Sequence, residues 1–288
     1  MTTTLAEQFS EKLPTQIPIV VLDTETTGLH PGLGHRIVEI GAVRLEKWQI
    51  TGQLDQQLFP ERHMDSTATK INGITDDDLI GMPLFADILP DLLALMDGAL
   101  LVAHNAYFDA TFLAMEMFIS GYQSPHPTLL LPNPWLCTLQ LARRLFHFDS
   151  NSLGSLARHF RVRTGTAHRA IHDVHTTVEV LKRMLAELSR QNLCTVGDLL
   201  HAQGSPIYAP PPPAPSYVPD PIAQAVSTGQ SLKLVYMSAQ NRQTERIITP
   251  KYISQHVGVD YLVAHCHMRD EQRTFRLDRI IEAAIVND

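Results

Sequence analysis

Residues 204–221, GSPIYAPPPPAPSYVPDP, are dominated by proline. Proline fixes φ and removes an amide donor, so this stretch suits neither a helix interior nor a central strand and favours an extended spacer. A chain of 288 residues interrupted there is expected to fold as two bodies, a large one and a small one. The boundaries read as residues 1–203 for the first domain, with its core at about 16–187, then a linker at 204–219 and a second domain at 220–288.

Charge divides along the same line. The formal net charge is -7, and residues 220–288 hold eight Lys/Arg against eight Asp/Glu, so the excess of acid lies in the larger part. A general nucleic-acid coat protein would be basic. A concentration of acids suits divalent cations, which favour oxygen ligands. Cys137, Cys194 and Cys266 lie far apart with no CxxC, which points away from zinc and disulfides and toward a reducing cytoplasm. The N-terminal MTTTLAEQFSEKL lacks the pattern of a signal peptide, and the uncharged run 119–142 is broken by prolines, so no membrane association is expected.

Before the break, strands and helices alternate. IPIVVLD at 17–23 is a continuous β-branched run of the kind found in a buried central strand, and 37–44, 51–59 and 99–103 read as further strands. Helices are expected at about 107–119, 136–146, 152–160 and 170–187, the last with Ile171, Val174, Val178, Leu181 and Leu185 on one stripe. This is an α/β layer fold with a mixed sheet. After the break, a helix at about 221–228 precedes short strands at 232–237, 245–249, 252–257, 260–267 and 273–277, the pattern of a small β-barrel.

Three segments carry acids in informative settings. Asp23 and Glu25, in LDTETTG, are two apart at a strand end and so leave one face, where they repel each other unless a cation intervenes. Asp109, in AHNAYFD, falls in the first turn of a helix that Asn105 is placed to cap. Asp173 starts the 170–187 helix off its apolar stripe, and His168 precedes it. His172 and His175 with His168 would suit a transition metal, but no cysteine accompanies them and the acids are harder ligands.

Together these residues resemble the DEDDh (DnaQ-like, polymerase III epsilon-like) branch of the DEDD exonuclease superfamily, over roughly residues 16–187. LDTETTG matches its first motif, AHNAYFD its second and His168-x4-Asp173 its third, with family-like IVEIGAV, INGIT and SLGSLARHF between. The resemblance implies an RNase H-like mixed-sheet domain that hydrolyses phosphodiesters from a 3′ end to nucleoside 5′-monophosphates. It implies two divalent cations, Mg²⁺ or Mn²⁺, one held by Asp23, Glu25 and Asp173 and the other by Asp23 and Asp109. It makes His168 the general base, which suits an imidazole with an ordinary pKa of about 6.5. Thr24, Thr26 and Gly28 would place backbone against the terminal nucleotide, with His104, Asn105 and Phe108 as further substrate contacts. The substrate would be nucleic acid with a free 3′ end, single-stranded DNA before RNA, and the partner a polymerase or repair complex.

Arg143, Arg144, Arg158, Arg161, Arg163 and Arg169 face only Asp149 across 143–169, and Arg161 and Arg163 are the expected phosphate contacts there. QLDQQLF at 53–59 has the look of a sliding-clamp peptide but falls where the fold needs a strand.

Residues 220–288 resemble a WYL domain through LKLVY at 232–236, Arg246 with Pro250, YLVAHC at 261–266 and RTFRLDRI at 273–280, with Asp260 where the tripeptide would have tryptophan. That resemblance implies an Sm/SH3-like barrel sensing nucleic acid or another ligand, with Arg246, Arg273, Arg276 and Arg279 as anion contacts. The two resemblances imply a tethered exonuclease. The alternative is a ligand-responsive regulator whose nuclease fold serves for binding.

Overall fold

The computed structural model describes residues 4–286 apart from 127, 167, 212, 213 and 216, so part of the expected linker lies outside the described residues. The elements of the first unit are α1 (Leu5–Phe9), β1 (Ile19–Thr26), β2 (Ile37–Glu46), β3 (Gln49–Gln57), α2 (Ser66–Asn72), α3 (Phe85–Met96), β4 (Leu100–Ala103), α4 (Ala106–Ile119), β5 (Trp135–Cys137), α5 (Thr138–Leu145), α6 (Leu153–His159), α7 (Ala170–Ser189) and α8 (Val196–Ala202). Then come α9 (Asp220–Thr228), β6 (Leu232–Met237), β7 (Gln243–His256), β8 (Val259–Cys266), β9 (Glu271–Arg276) and β10 (Ile280–Ile285).

The first sheet runs β3-β2-β1-β4-β5, antiparallel from β3 to β1 and parallel from β1 to β5, as a mixed sheet should. β1 is buried on both faces because its residues alternate between two cores. Val20 and Leu22 join Phe85, Leu92, Phe112 and Leu113 on the α3/α4 side. Ile19 and Val21 join Val174, Val178, Leu181 and Met184 on the α7 side. Asp23 and Glu25 continue the second series, so strand periodicity alone aims them toward α7.

The expected helices and strands of this unit are present within a few residues. α3 is additional; it contains Pro90 and buries Phe85, Ile88, Leu89, Leu92 and Met96. β5 is a three-residue strand, and Leu136 and Cys137 belong to it and not to the start of the helix expected at 136–146. QLDQQLF contributes Gln53–Gln57 to β3, paired with β2. In the expected linker, Ile207 forms an antiparallel bridge with Trp135 and Ala209 is buried in the α3/α4 core, so this part packs rather than spaces.

The second unit is an all-antiparallel sheet in the order β10-β6-β7-β8-β9, with Ile222 and Ala225 of α9 packed on Leu232, Leu234, Ile248 and Leu262. The two strands expected at 245–249 and 252–257 are one, β7, whose register shifts between Pro250 and Tyr252. Proline cannot donate to the ladder, and a bulge accommodates it. β10 lies beyond the last strand read from the sequence.

Residues 27–36 and 61–65 group with this second unit although the strands of the first sheet flank them in sequence. Ser254 Oγ donates to the Gly32 carbonyl at 2.8 Å, and Thr274 Oγ1 to the Leu33 carbonyl at 2.9 Å. A Cβ on Gly32 would meet the Gln255 carbonyl oxygen at 2.3 Å, so only glycine permits this approach. A reading by contiguous segments has no means of assigning such a loop. Among the described residues no helix is long and apolar enough to cross a membrane.

Candidate active site

Asp23 and Glu25 leave β1 on the α7 side, and α7 presents Asp173 in its first turn. Glu25, His168 and Asp173 offer ligand atoms that all lie within 4.8 Å of one another. Asp109 comes from the first turn of α4 on the other side of the sheet, where it is 3% exposed. Thr24 points that way and donates its hydroxyl to Asp109 Oδ1 at 2.9 Å. The five residues singled out from three distant motifs therefore meet around the end of one strand.

The electrostatics are those of a site short of positive charge. Burial, and then the Asp109, Glu25 and Asp173 carboxylates, push the Asp23 carboxyl well above its ordinary range. Burial, followed by the charges of Asp173 and Glu39, pushes Glu25 up to about 7, against a hydrogen bond from Asn72. Burial takes Asp109 to about 7 in spite of its bond from Thr24. Burial also raises Asp173, although the His168 amide donates to its Oδ2 at 3.1 Å. Buried carboxylates this close either take up protons or gather a cation. An all-oxygen acid set of this kind fits a hard divalent ion, with the His168 ring beside it.

His168 is exposed and sits at φ 61°, a left-handed conformation unusual for a residue with a side chain. It stands just before α7, held by its amide's bond to Asp173, with a ring nitrogen within 4.8 Å of the Glu25 and Asp173 carboxylates.

The expected substrate contacts fare differently. Thr24 and Thr26 are both buried, at 7% exposure each, and the Thr24 hydroxyl braces Asp109. Gly28 belongs to the second unit, where a Cβ would meet the His35 ring at 2.4 Å. His104 departs from the expectation. Its Nδ1 pairs with Thr138 Oγ1 and its Nε2 with the Asn151 carbonyl, both at 3.0 Å, and burial lowers its pKa to about 4. Its ring ties loops together and has no nitrogen left for a nucleotide. Asn105 is exposed at the start of α4 and makes no side-chain cap, so its expected capping role is absent. Phe108 packs half-buried against Phe112, with ring centroids 4.8 Å apart. Arg161 and Arg163 are exposed just after α6.

On the second unit, Arg273 pairs with Glu271 at 2.9 Å, and Arg276 grips Asp278 through two bonds of 3.0 and 2.6 Å. Arg246 reaches the Met268 sulfur. The bond from Arg276, with the charge of Arg279 assisting, holds the Asp278 carboxyl below its ordinary value.

Two site residues escape the sequence reading. Asn72, 8% exposed, bonds the Glu25 carboxylate and donates to the Thr26 carbonyl at 3.4 Å. Glu39, 1% exposed on β2, faces Arg169. Both lie in the INGIT and IVEIGAV segments, so the signal was a polar residue inside an otherwise apolar motif.

Comparison with known proteins matches two families to separate stretches of the chain. The RNase_T family, described as exonuclease, matches residues 20–181, and the WYL domain family matches residues 218–285. A DNA polymerase III of PolC type from Caldanaerobacter subterraneus subsp. tengcongensis is 34% identical over 181 residues, covering 62% of this chain and 12% of that protein. The DNA polymerase III subunit epsilon of Buchnera aphidicola subsp. Schizaphis graminum is 37% identical over 161 residues, covering 54% of this chain and 66% of that one. Exonuclease X, solved in complex with 5′ overhanging duplex DNA, is 26% identical with a TM-score of 0.50, covering 65% of this chain and 99% of that one.

Proposed function

The chain belongs to the RNase_T exonuclease family through residues 20–181 and carries a WYL domain at 218–285, and from that premise we propose that it is a divalent-cation-dependent 3′–5′ exonuclease releasing nucleoside 5′-monophosphates. The observation that carries this reading is the gathering of Asp23, Glu25, Asp109 and Asp173 with His168, all four acids raised by burial.

Asp23, Glu25 and Asp173 would hold one Mg²⁺ or Mn²⁺ and Asp23 with Asp109 a second. When bound, such a pair offsets the negative charge of the acids and of the phosphodiester undergoing in-line displacement. His168 takes a proton from the attacking water, whose oxygen forms a bond to phosphorus as the bond to the 3′ oxygen breaks. Thr24 braces Asp109 through its hydroxyl and Asn72 does the same for Glu25, which orients both carboxylates before a cation binds. Arg161 and Arg163 supply exposed positive charge for the strand.

DNA is the favoured substrate, since the relatives described above are a DNA polymerase and a DNA polymerase subunit, and Exonuclease X was solved with DNA. A polymerase or repair complex is the corresponding partner, and the cytoplasm the corresponding compartment. The WYL domain serves as a surface for nucleic acid or a regulatory ligand. Its better anion contacts are Arg246 and Arg279, which make no hydrogen bond to a carboxylate among the described residues. The rival reading, a WYL regulator that only binds through a nuclease fold, leaves the four uncompensated acids without a purpose.

The test is digestion of matched 5′-labelled DNA and RNA single strands with Mg²⁺, Mn²⁺ or chelator. A ladder shortened from the 3′ end, faster on DNA and absent with chelator, is expected. His168→Ala should lower turnover about 10²–10⁴-fold while cation binding persists. Absence of cation-dependent shortening by the wild type overturns the reading.

A further inference from the structure

Glu39, 1% exposed, is a buried acid beside the site that no cation is needed to explain. It lies on β2 directly opposite Glu25 in the ladder. Its Oε1 accepts from Arg169 Nε at 2.9 Å and forms an ion pair with Arg169 Nη2 at 2.7 Å. Its Oε2 accepts from the Ala170 amide at 2.8 Å. Ala170 opens α7, and Arg169 at the N-cap position makes no side-chain cap of its own. A residue on another strand thus does the capping, satisfying an amide that would otherwise be orphaned. Two residues along, on the same face, Gly41 completes the seat: a Cβ there would meet the Ile171 amide nitrogen at 2.6 Å and the Ala170 carbonyl carbon at 2.7 Å. The first turn of α7 therefore rests directly on the backbone of β2.

His168 sits immediately before this clamp, in its left-handed conformation, and Asp173 immediately after it. The His168 amide bonds back to Asp173, closing a short loop that contains Arg169 and Ala170. We propose that Glu39, through Arg169 and the Ala170 amide, is the positioning residue that fixes His168 and Asp173 relative to the β1 acids. The inference rests on the exonuclease reading for what His168 does, and on geometry alone for what Glu39 holds. Three nitrogens occupy the Glu39 carboxylate, which sets it apart from the cation-seeking acids beside it. Arg169 is spent on this contact, so it drops out of the arginines available to a substrate phosphate.

The test uses full-length Glu39→Gln, with the half-exposed Arg169→Gln as a second variant that threatens folding less. Loss of an outer carboxylate typically costs about 10–100-fold. That fall is expected in kcat, with KM changed by less than about threefold. In a His168→Ala background the same substitutions should cost less than they do alone, because the part of their effect that passes through His168 is already lost while the part through Asp173 persists. Full additivity of the two losses, or an unchanged kcat in both single variants, overturns the proposal. Amide hydrogen exchange reads the clamp without any turnover: protection at residues 170–173 should fall in Glu39→Gln and Arg169→Gln while β1 and β4 stay protected. If the wild type proves inactive the exonuclease reading fails, and exchange alone then decides: unaltered protection at 170–173 removes Glu39 from the role.

Discussion

The acids gathered around the end of β1 and the arginines of the C-terminal sheet are both clusters of charge, and their surroundings treat them oppositely. Asp23, Glu25, Asp109 and Asp173 are withdrawn from water and pushed toward protonation by burial, and Asp23 and Glu25 also by the neighbouring carboxylates. Arg273 and Arg276 stand at the surface with Glu271 and Asp278 already paired to them. An uncompensated buried charge costs stability unless a ligand arrives, whereas an exposed pair contributes little either way. The first group therefore demands a partner of opposite sign, and the second does not. The difference explains why one set of motif residues carries a chemical conclusion and the other only a surface.

The largest effect should come from removing the charge at the centre of the crowded group. Asp23→Asn is expected to lower cleavage by about 10³-fold or more, since several kcal/mol of charge stabilisation depend on it. Without cations the same variant should melt at a higher temperature than the wild type, because it relieves repulsion among the remaining acids. Wild-type activity in Asp23→Asn, or a lower cation-free Tm, would break the comparison at its strongest point. A smaller loss, about 10–100-fold, is expected for Thr24→Val, which leaves Asp109 buried without its 2.9 Å bond. Measured turnover within twofold of wild type would mean that Asp109 needs no brace.

The pH dependence sharpens the same point. Glu25 and Asp109 titrate at about 7 in the fold against ordinary values of 4.5 and 3.8. Between those values the folded, cation-free protein keeps protons that the unfolded chain has released, so its stability falls as pH rises toward 7 and levels off above. A divalent cation must displace those protons. At a concentration 100 times its Kd, binding is worth about 2.7 kcal/mol, or about 5–10 °C in Tm for a domain this size. That gain should be present at pH 8 and nearly gone at pH 5.5. Differential scanning calorimetry with and without Mg²⁺ reads it, and equal gains at both pH values would contradict the burial argument.

How much of this was legible in sequence depended on how locally each feature is encoded. Asp23 and Glu25 share a face because strand side chains alternate, and the α7 stripe of Val174, Val178 and Leu181 is buried as its period requires. α3 hides its stripe behind Pro90. Glu39 and Asn72 could not be placed from local pattern, because their partners are contributed by Arg169 and by Glu25 and Thr26, far along the chain. His104 looked like a substrate contact for the same reason: nothing near it in sequence announces that Thr138 and Asn151 take both ring nitrogens. The loop 27–36 is the extreme case, since its packing partners Ser254 and Thr274 follow more than two hundred residues later.

The smallest expected effect tests the other side of the comparison. If the ion pairs of Arg273 and Arg276 are surface structure, replacing both with Gln should leave cleavage within about twofold, as exposed pairs contribute about 0–1 kcal/mol. The salt dependence of strand binding should also hold its slope. Arg246 and Arg279 make no hydrogen bond to a carboxylate among the described residues, and so have less to surrender when a phosphate approaches. Replacing that pair with Gln should reduce the slope by about one for each phosphate contact removed, with turnover of a bound strand unchanged. The two double variants carry the same change in net charge, so a general electrostatic effect would move both slopes equally. Unequal slopes would mean that pairing, and not charge, decides which arginines can bind. Equal slopes would mean that the Glu271 and Asp278 partners are given up as readily as solvent, and the distinction between the two regions would then rest on burial alone.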